Sequence, residues 1–443
     1  MNWNQLLSAK RLGMEGWTTD KTGDRSQFQR DYDRIVFSSP FRRMQNKTQV
    51  FPLPEHIFVH NRLTHTLEVA SVGRSLGNIL AEKLVKEFPE NPFIPEIGTI
   101  VSTACLAHDL GNPPFGHSGE SAISDFFKNG TGKEFQQQLT VGEWKDFTHF
   151  DGNANAFRVL THQFNGKRPG GFALTYSSLA GIVKYPYESV LAEKPKFGFF
   201  QSEKENYLKI AAELGIDEST SQPGSFCRHP LVYLVEAADD ICYQIMDLED
   251  AYKLGILSYD KVYSLFLAFY DAETDAKQLA SIDKTMKRVT DRNEQIGYLR
   301  AGVIGKLIHA AMAVFTDHLD EIMQGRFTKS LMDRLPETQA AAMKVVKEIS
   351  YKQVYAHRSV VEIEIAGYKI IGTILQEFAG AMMNPTGTYN KKLLSLLPDQ
   401  YKNESGSVYA NLQSVVDFVS GMTDVFALDL YRKITGINLP GIR

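Results

Sequence analysis

Apolar residues recur along most of this chain at three- and four-residue steps, the spacing that gathers them on one face of an α-helix. From Leu63, the positions Leu67, Val69, Val72, Leu76, Leu80 and Leu84 mostly follow it, and the run ends near Phe88-Pro89. Ile97, Ile100, Val101, Ala104 and Cys105 form a second stripe, with His108 at the right step to remain on it. Leu231, Leu234, Val235, Ala238, Cys242 and Ile245 predict a third long helix, and similar patterns cover residues 304–315, 340–349, 360–378 and 415–431. Alternating runs are few: Gln49-Val50-Phe51 and Gly198-Phe199-Phe200 make a short hairpin edge at most. The expected fold is mainly α, an all-helical core elaborated by additional helices with few short strands.

Breaks in the pattern are local. Residues 89–95 read as a tight turn, and 129–142 and 165–171 as polar or Gly-rich loops. The strongest linker candidate is 217–230, centred on Ser219-Thr220-Ser221-Gln222-Pro223-Gly224. Candidate ligands lie on both sides of it, so one domain is expected over 1–443. Its catalytic core would cover about 25–255, and the helical part 256–443 would not be independent.

Composition narrows the class. With 43% hydrophobic and 23% charged residues, the 443-residue chain is ordinary globular material. A net charge of −4 gives no global basic field for nucleic acid or a membrane surface, so an anionic ligand must be met by local Lys and Arg. Cys105, Cys227 and Cys242 are odd in number and lack metal-type spacing, which fits a reducing cytoplasm. The Met1-Asn2-Trp3-Asn4 start has no secretory pattern, and no uninterrupted apolar stretch reaches the roughly 18 residues of a membrane span. A soluble cytoplasmic protein is expected.

Against this background one dipeptide stands out. His108-Asp109 closes an apolar run and is followed by Leu110-Gly111-Asn112-Pro113-Pro114-Phe115-Gly116-His117. Adjacent imidazole and carboxylate groups make poor core and can present two ligands to one divalent cation. His65 lies on the preceding helix with Arg62 three residues earlier on the same face, and an Arg there suits an anionic substrate bound across a metal. Asp239 and Asp240 sit inside an otherwise apolar helix, which is costly unless they are paired, exposed or metal-bound. Periodicity does not choose between them: Asp239, Tyr243 and Asp247 share one stripe, and Asp240, Gln244 and Asp247 form a neighbouring one. His117 precedes Glu120 by three residues, so the carboxylate can orient and charge the imidazole. A capping-box reading of Ser118-Gly119-Glu120 accounts for the carboxylate but not for His117. Gly130-Thr131-Gly132-Lys133-Glu134 is no P-loop, because Phe127 and Glu134 occupy positions that need Gly and Ser or Thr.

His65, His108-Asp109 and Asp239 in this order resemble the H…HD…D pattern of the HD-domain phosphohydrolases. Longer strings are similar, more narrowly, to the deoxyguanosine triphosphate triphosphohydrolase family. They are Phe41-Arg42-Arg43-Met44-Gln45-Asn46-Lys47-Thr48-Gln49-Val50-Phe51, Arg62-Leu63-Thr64-His65, the segment from His108 to His117, Glu236-Ala237-Ala238-Asp239-Asp240-Ile241-Cys242-Tyr243, and the tail from Ser420 to Tyr431. Together they span roughly residues 25–432.

The resemblance implies hydrolysis of a deoxynucleoside triphosphate, dGTP among others, to deoxynucleoside and inorganic triphosphate. It implies one divalent metal (Mn, Mg, Co, Ni or Fe) on His65, His108, Asp109 and Asp239, the first Asp being favoured because Tyr243 follows it by four residues. His117 and Glu120 would be the acid–base pair. Gln49 and Asp247 would hold the sugar 3′-hydroxyl, which leaves little room for a 2′-hydroxyl. Arg62 and Tyr243 would contact phosphate or sugar, Lys184 phosphate, and Tyr355 the substrate side. Some relatives carry His where this chain has Asn112, so no role transfers to that position. A homo-oligomer, with a hexamer among the assemblies the family offers, and binding of single-stranded DNA or a dNTP effector are also implied; a membrane is not. Competing readings are another HD phosphohydrolase of monophosphates, cyclic nucleotides or guanosine polyphosphates, or a nucleotide-sensing or single-stranded-DNA-binding protein with a non-catalytic metal site.

Overall fold

The computed structural model describes residues 1–16, 25–51, 59–403 and 406–437. Helices α1 (Gln27–Val36), α2 (Arg62–Glu87), α3 (Ile97–Ala107), α4 (Gly116–Lys128), α5 (Gly152–Thr161), α6 (Pro230–Lys253), α7 (Arg292–Asp317), α8 (Glu337–Ile349), α9 (Arg358–Met383), α10 (Val408–Ser420) and α11 (Asp424–Ile434) carry the architecture, with further helices between them. The mainly α expectation holds, and no sheet forms among the described residues.

The centre of the molecule is α2 against α3, with α6 packed across both and α1 covering α3. Apart from Thr99, every residue of α3 is buried, so this helix has no polar face and must sit inside. Small residues let its backbone approach α2 closely. A Cβ on Gly77 would stand 2.7 Å from the Gly98 Cα, and one on Gly73 would overlap the Cys105 thiol. The first turn of α2 is fixed by a reciprocal cap: Thr64 N–H donates to Asn61 Oδ1 at 3.0 Å, and Asn61 N–H donates to Thr64 Oγ1 at 3.1 Å. That cap sets the direction of Arg62 and His65.

A second hydrophobic core unites α4 with the C-terminal helices α9, α10 and α11 through Phe126, Phe127, Ile371, Phe378, Val415 and Phe418, among others. The C-terminal helices therefore pack against the stretch that follows the His-Asp turn. The far end of that turn and the segment before α2 are both tied to the tail by hydrogen bonds. Phe115, in a left-handed conformation with φ +62°, donates its N–H to Asp424 Oδ1 at 3.1 Å, and Thr48 N–H donates to Asp424 Oδ2 at 2.9 Å.

Three expectations need correction. Among the described residues the hairpin edge is absent: Thr48 and Glu188 make isolated bridges to Asn61 and Phe199, and consecutive Phe199 and Phe200 are both buried instead of alternating. The 415–431 pattern is two helices, because the chain breaks at Gly421 and Thr423 restarts it by capping Phe426 N–H. Part of the 129–142 loop is a 3₁₀ segment, Thr131–Gln138, which buries Phe135.

The three cysteines are buried and unpaired. One helix among those described, α7, is long and apolar enough by composition to cross a membrane. Here it buries Leu299, Val303 and Leu307 and packs on α6; Arg300 pairs with Glu249, and Lys306 with Asp275 at 2.6 Å.

Candidate metal centre and active site

His65 comes from the first turns of α2, His108 and Asp109 from the C-terminal end of α3, and Asp239 from the middle of α6. Ligand atoms of His65, His108 and Asp109 lie within 4.8 Å of one another, a grouping able to hold one cation. Asp239 joins them: its Oδ1 is 3.1 Å from His65 Nε2 and 3.5 Å from His108 Nε2. The donor set is thus two imidazoles and two carboxylates, borderline ligands that suit Mn, Fe, Co, Ni or Mg.

The surroundings fix how these groups point. His108 Nδ1–H donates to the Cys105 carbonyl at 2.6 Å, leaving Nε2 to face the cluster. Asp109 is held from both sides, by Arg62 Nη1 at 2.7 Å on Oδ2 and by Asn112 Nδ2 at 2.6 Å on Oδ1. Arg62 also donates to the Thr48 carbonyl at 3.0 Å, while its buried Nε has no partner among the described residues. Burial alone would raise the Asp109 carboxyl, but Arg62, His108 and His65 outweigh it and hold it below the usual range. Asp239 is likewise buried, yet His108 and His65 hold it well below that range. Its neighbour goes the other way: burial and the charge on Asp239 push Asp240 up to about 7. Of the adjacent pair, the negative charge concentrates on the residue that touches both histidines.

His117, at the start of α4, is 82% exposed, and its Nδ1 is 2.8 Å from Glu120 Oε2. The Glu120 hydrogen bond and charge raise the imidazole pKa. Glu120 does not cap the helix. Its Oε1 accepts Gly152 N–H at 2.7 Å, so the carboxylate is fixed between α4 and α5 and its second oxygen is left for His117. Burial pushes the Glu120 carboxyl up, but His117 and Lys196 prevail and lower it. Lys196, which sequence reasoning missed, is anchored 3.1 Å from Asp151 Oδ1 at the head of α5.

A second cluster gathers on α6 and the segment before α9. Tyr355 donates its hydroxyl to Asp247 Oδ2 at 2.7 Å and stacks on Tyr243 with ring centroids 5.8 Å apart. Burial raises Asp247 to about 8 despite that hydrogen bond. On a separate segment before α2, Gln49 carries a buried Oε1 that has no hydrogen-bond partner among the described residues. Lys184 is 3.2 Å from Glu236, which also accepts Arg228 at 2.6 Å, so its ammonium is partly committed to an ion pair.

Two further residues organise the site. Lys47, fully buried, donates to the Asn112 carbonyl at 2.6 Å and to the Ser420 carbonyl at 2.8 Å. Burial, with Arg43 and Arg62 nearby, pulls its pKa down to about 7. Asn112 in turn holds Asp109. Lys47 and Asn112 both lie within the family-like strings, but only the folded chain brings them together.

A helical bundle that presents histidines and aspartates from three separate helices to one point has the form of an HD centre. The HD domain family matches residues 62–168, and the phosphohydrolase-associated domain matches residues 334–433. A deoxyguanosinetriphosphate triphosphohydrolase-like protein of Pseudomonas aeruginosa (strain LESB58) is 38% identical, covering 99% of this chain and 100% of the relative. One of the same description from Synechocystis sp. is 37% identical with the same coverage. The deoxyguanosinetriphosphate triphosphohydrolase of Yersinia pestis (strain Pestoides F) is 30% identical over 92% of this chain and 93% of its own. The chain belongs to the HD-domain deoxyguanosinetriphosphate triphosphohydrolase-like family of phosphohydrolases.

Proposed function

We propose that this protein is a metal-dependent dNTP triphosphohydrolase, with dGTP among its substrates, that releases a deoxynucleoside and inorganic triphosphate. The observation that carries the reading is the meeting of His65, His108 and Asp109 within 4.8 Å, with Asp239 reaching both imidazoles. A divalent metal held by these four residues would supply charge neutralisation at the α-phosphate and an acidified water.

The chain's own residues do the rest. Arg62 keeps Asp109 ionised and aimed at the cluster. His117 is exposed and paired with Glu120; as the imidazolium that Glu120 favours it would give a proton to the leaving 5′-oxygen, and as the neutral imidazole it would take one from the attacking water. Asp247, protonated near neutral pH, and Gln49, whose buried carbonyl has no partner among the described residues, would hold the sugar 3′-hydroxyl, with the Tyr243–Tyr355 stack beside Asp247 on the substrate side. A site built on buried polar groups rejects an analogue that leaves them unpaired. Assembly into a homo-oligomer belongs to the same reading.

The deciding experiment incubates the protein with each dNTP and each NTP in Mn or Mg and separates triphosphate, pyrophosphate and phosphate. Triphosphate from dNTPs alone is expected. Cleavage confined to the β–γ bond, or turnover only of monophosphates or cyclic nucleotides, would reject the reading, and tight binding without turnover would favour a nucleotide sensor.

A further inference from the structure

His117 stands in the first turn of α4 with its side chain 82% exposed, and a single hydrogen bond, 2.8 Å to Glu120 Oε2, holds the imidazole. A ring so little packed takes its place from the backbone that delivers it.

That backbone is unusual. Phe115 has φ +62° and ψ +20°, and Gly116 follows with φ +56°, two left-handed residues in succession after Pro113-Pro114. Glycine adopts this conformation freely, but a bulky residue does so at a cost and keeps it only where its surroundings impose it. Two contacts impose it on Phe115, and both come from the C-terminal helices. Its N–H donates to Asp424 Oδ1 at 3.1 Å, and its side chain rests on α9 at Gly367.

Gly367 is shaped for that contact. A Cβ there would overlap Phe115 Cγ and stand 2.5 Å from Phe115 Cβ, closer than real Cβ atoms come. From Val361 to Lys369, Gly367 alone is buried; the others are exposed or, at Ile363, half-buried. Glycine is among the poorest residues for a helix interior, so its place in this exposed stretch of α9 needs a reason. The close approach of Phe115 supplies one. Gly372, five residues on, has open space where a Cβ would go, so its lack of a side chain serves no such contact.

We propose that Phe115 and Gly367 are positioning residues for the His117–Glu120 pair: the ring, seated in the gap left by the missing side chain, turns the chain so that His117 meets Glu120. The C-terminal helices thereby help to set the acid–base pair as well as completing the second core. The inference rests on the acid–base role proposed for His117.

The test compares Gly367→Ala, Phe115→Gly, the double variant and Gly372→Ala with the parent, each full-length and Mg-loaded. Metal content, kcat and KM for dGTP, and the His117 imidazole pKa by NMR on histidine-labelled protein are measured, with His117→Gln to identify the resonance. Glu120, Lys196 and Arg62 are the charged groups that bear on that titration, and no compared variant removes them. Gly367→Ala and Phe115→Gly are expected to keep metal and to lower kcat about tenfold, with KM changed less than about twofold. The His117 pKa should drop toward its ordinary value, about 6.5, as the Glu120 contact loosens. Gly372→Ala makes the same change on the same helix but meets nothing, so every readout should stay at the parent's value. The double variant should be no worse than Phe115→Gly, because the contact is already gone. Should Gly367→Ala fail to fold, Phe115→Gly, which relieves the backbone, carries the test. A His117 titration that stays put in the single variants, an equal shift in Gly372→Ala, additive losses in the double variant, or metal lost in step with kcat would overturn the proposal. The titration needs no turnover, so it decides the seat even if no dNTP is hydrolysed, an outcome that counts against the proposed reaction alone.

Discussion

Arg62 Nη1 lies 2.7 Å from Asp109 Oδ2, so the carboxylate offered to the metal is already steered by a guanidinium from the neighbouring helix. The same guanidinium is braced on the Thr48 carbonyl. Lys cannot reach both acceptors from one rigid fork. Arg62→Lys is therefore expected to retain metal while kcat/KM falls about 10–100-fold, the usual cost of losing an outer partner of a ligand. Metal content by mass spectrometry beside steady-state kinetics checks it; unchanged kcat/KM would remove Arg62 from this role.

The adjacent aspartates should separate cleanly. Asp240, raised to about 7 by burial and by Asp239, is neutral in a large share of molecules near pH 7, so Asp240→Asn mimics a form it adopts. Asp239→Asn removes the charge that both histidines face. Metal loss is expected in Asp239→Asn and near-full occupancy in Asp240→Asn. Equal loss in both would undo the ligand choice.

His117→Ala is expected to keep metal and lose about 10²–10⁴-fold in kcat. Glu120→Gln gives the more specific readout. Glu120 raises the His117 pKa, so without its charge the imidazole loses its proton at lower pH. The limb of the kcat/KM profile set by that imidazole should shift to lower pH in Glu120→Gln. A profile that does not move would mean that the pair does not titrate in the reaction.

His60 bridges α2 and α6. Its Nδ1 is 2.8 Å from Asp250 Oδ2 and its Nε2 is 3.1 Å from Glu68 Oε1. Burial opposes its charge, but the hydrogen bonds and charges of Asp250 and Glu68 raise its pKa to about 10. A raised histidine stabilises the fold fully below its unfolded value, about 6.5, and that contribution is lost as pH rises through about 10. His60→Gln should cost about 1.5–3 kcal/mol at pH 6, the range for hydrogen bonds to charged groups. The gap from the parent should close toward pH 10 in urea melts at several pH values; a gap independent of pH would refute the ion-pair account.

The parts of the site that lay on periodic helices were legible from residue order alone. His65, His108 and the Asp239-Asp240 pair interrupt apolar stripes, and a polar group at a core position needs a reason. The choice within the pair was not legible, because it depends on which carboxylate meets two imidazoles brought in from other helices. Lys47, Asn112 and Asp424 carried no local signal either: Lys47 and Ser420 are 373 positions apart. The expected hairpin failed because the runs behind it are too short to fix an alternation, and Phe199 and Phe200 are both buried in the core between helices.

The buried Lys47 ammonium has a consequence for the order of events in synthesis. It rests on Asn112 at one side and on Ser420 at the other, and Asp424 fastens Thr48 and Phe115. A nascent chain that has emerged only through α6 already owns every proposed metal ligand, yet it lacks two of the acceptors that lock their supporting turn. Competence for chemistry should thus arrive late, when the last helices dock, and a ribosome-bound fragment should stay silent until then.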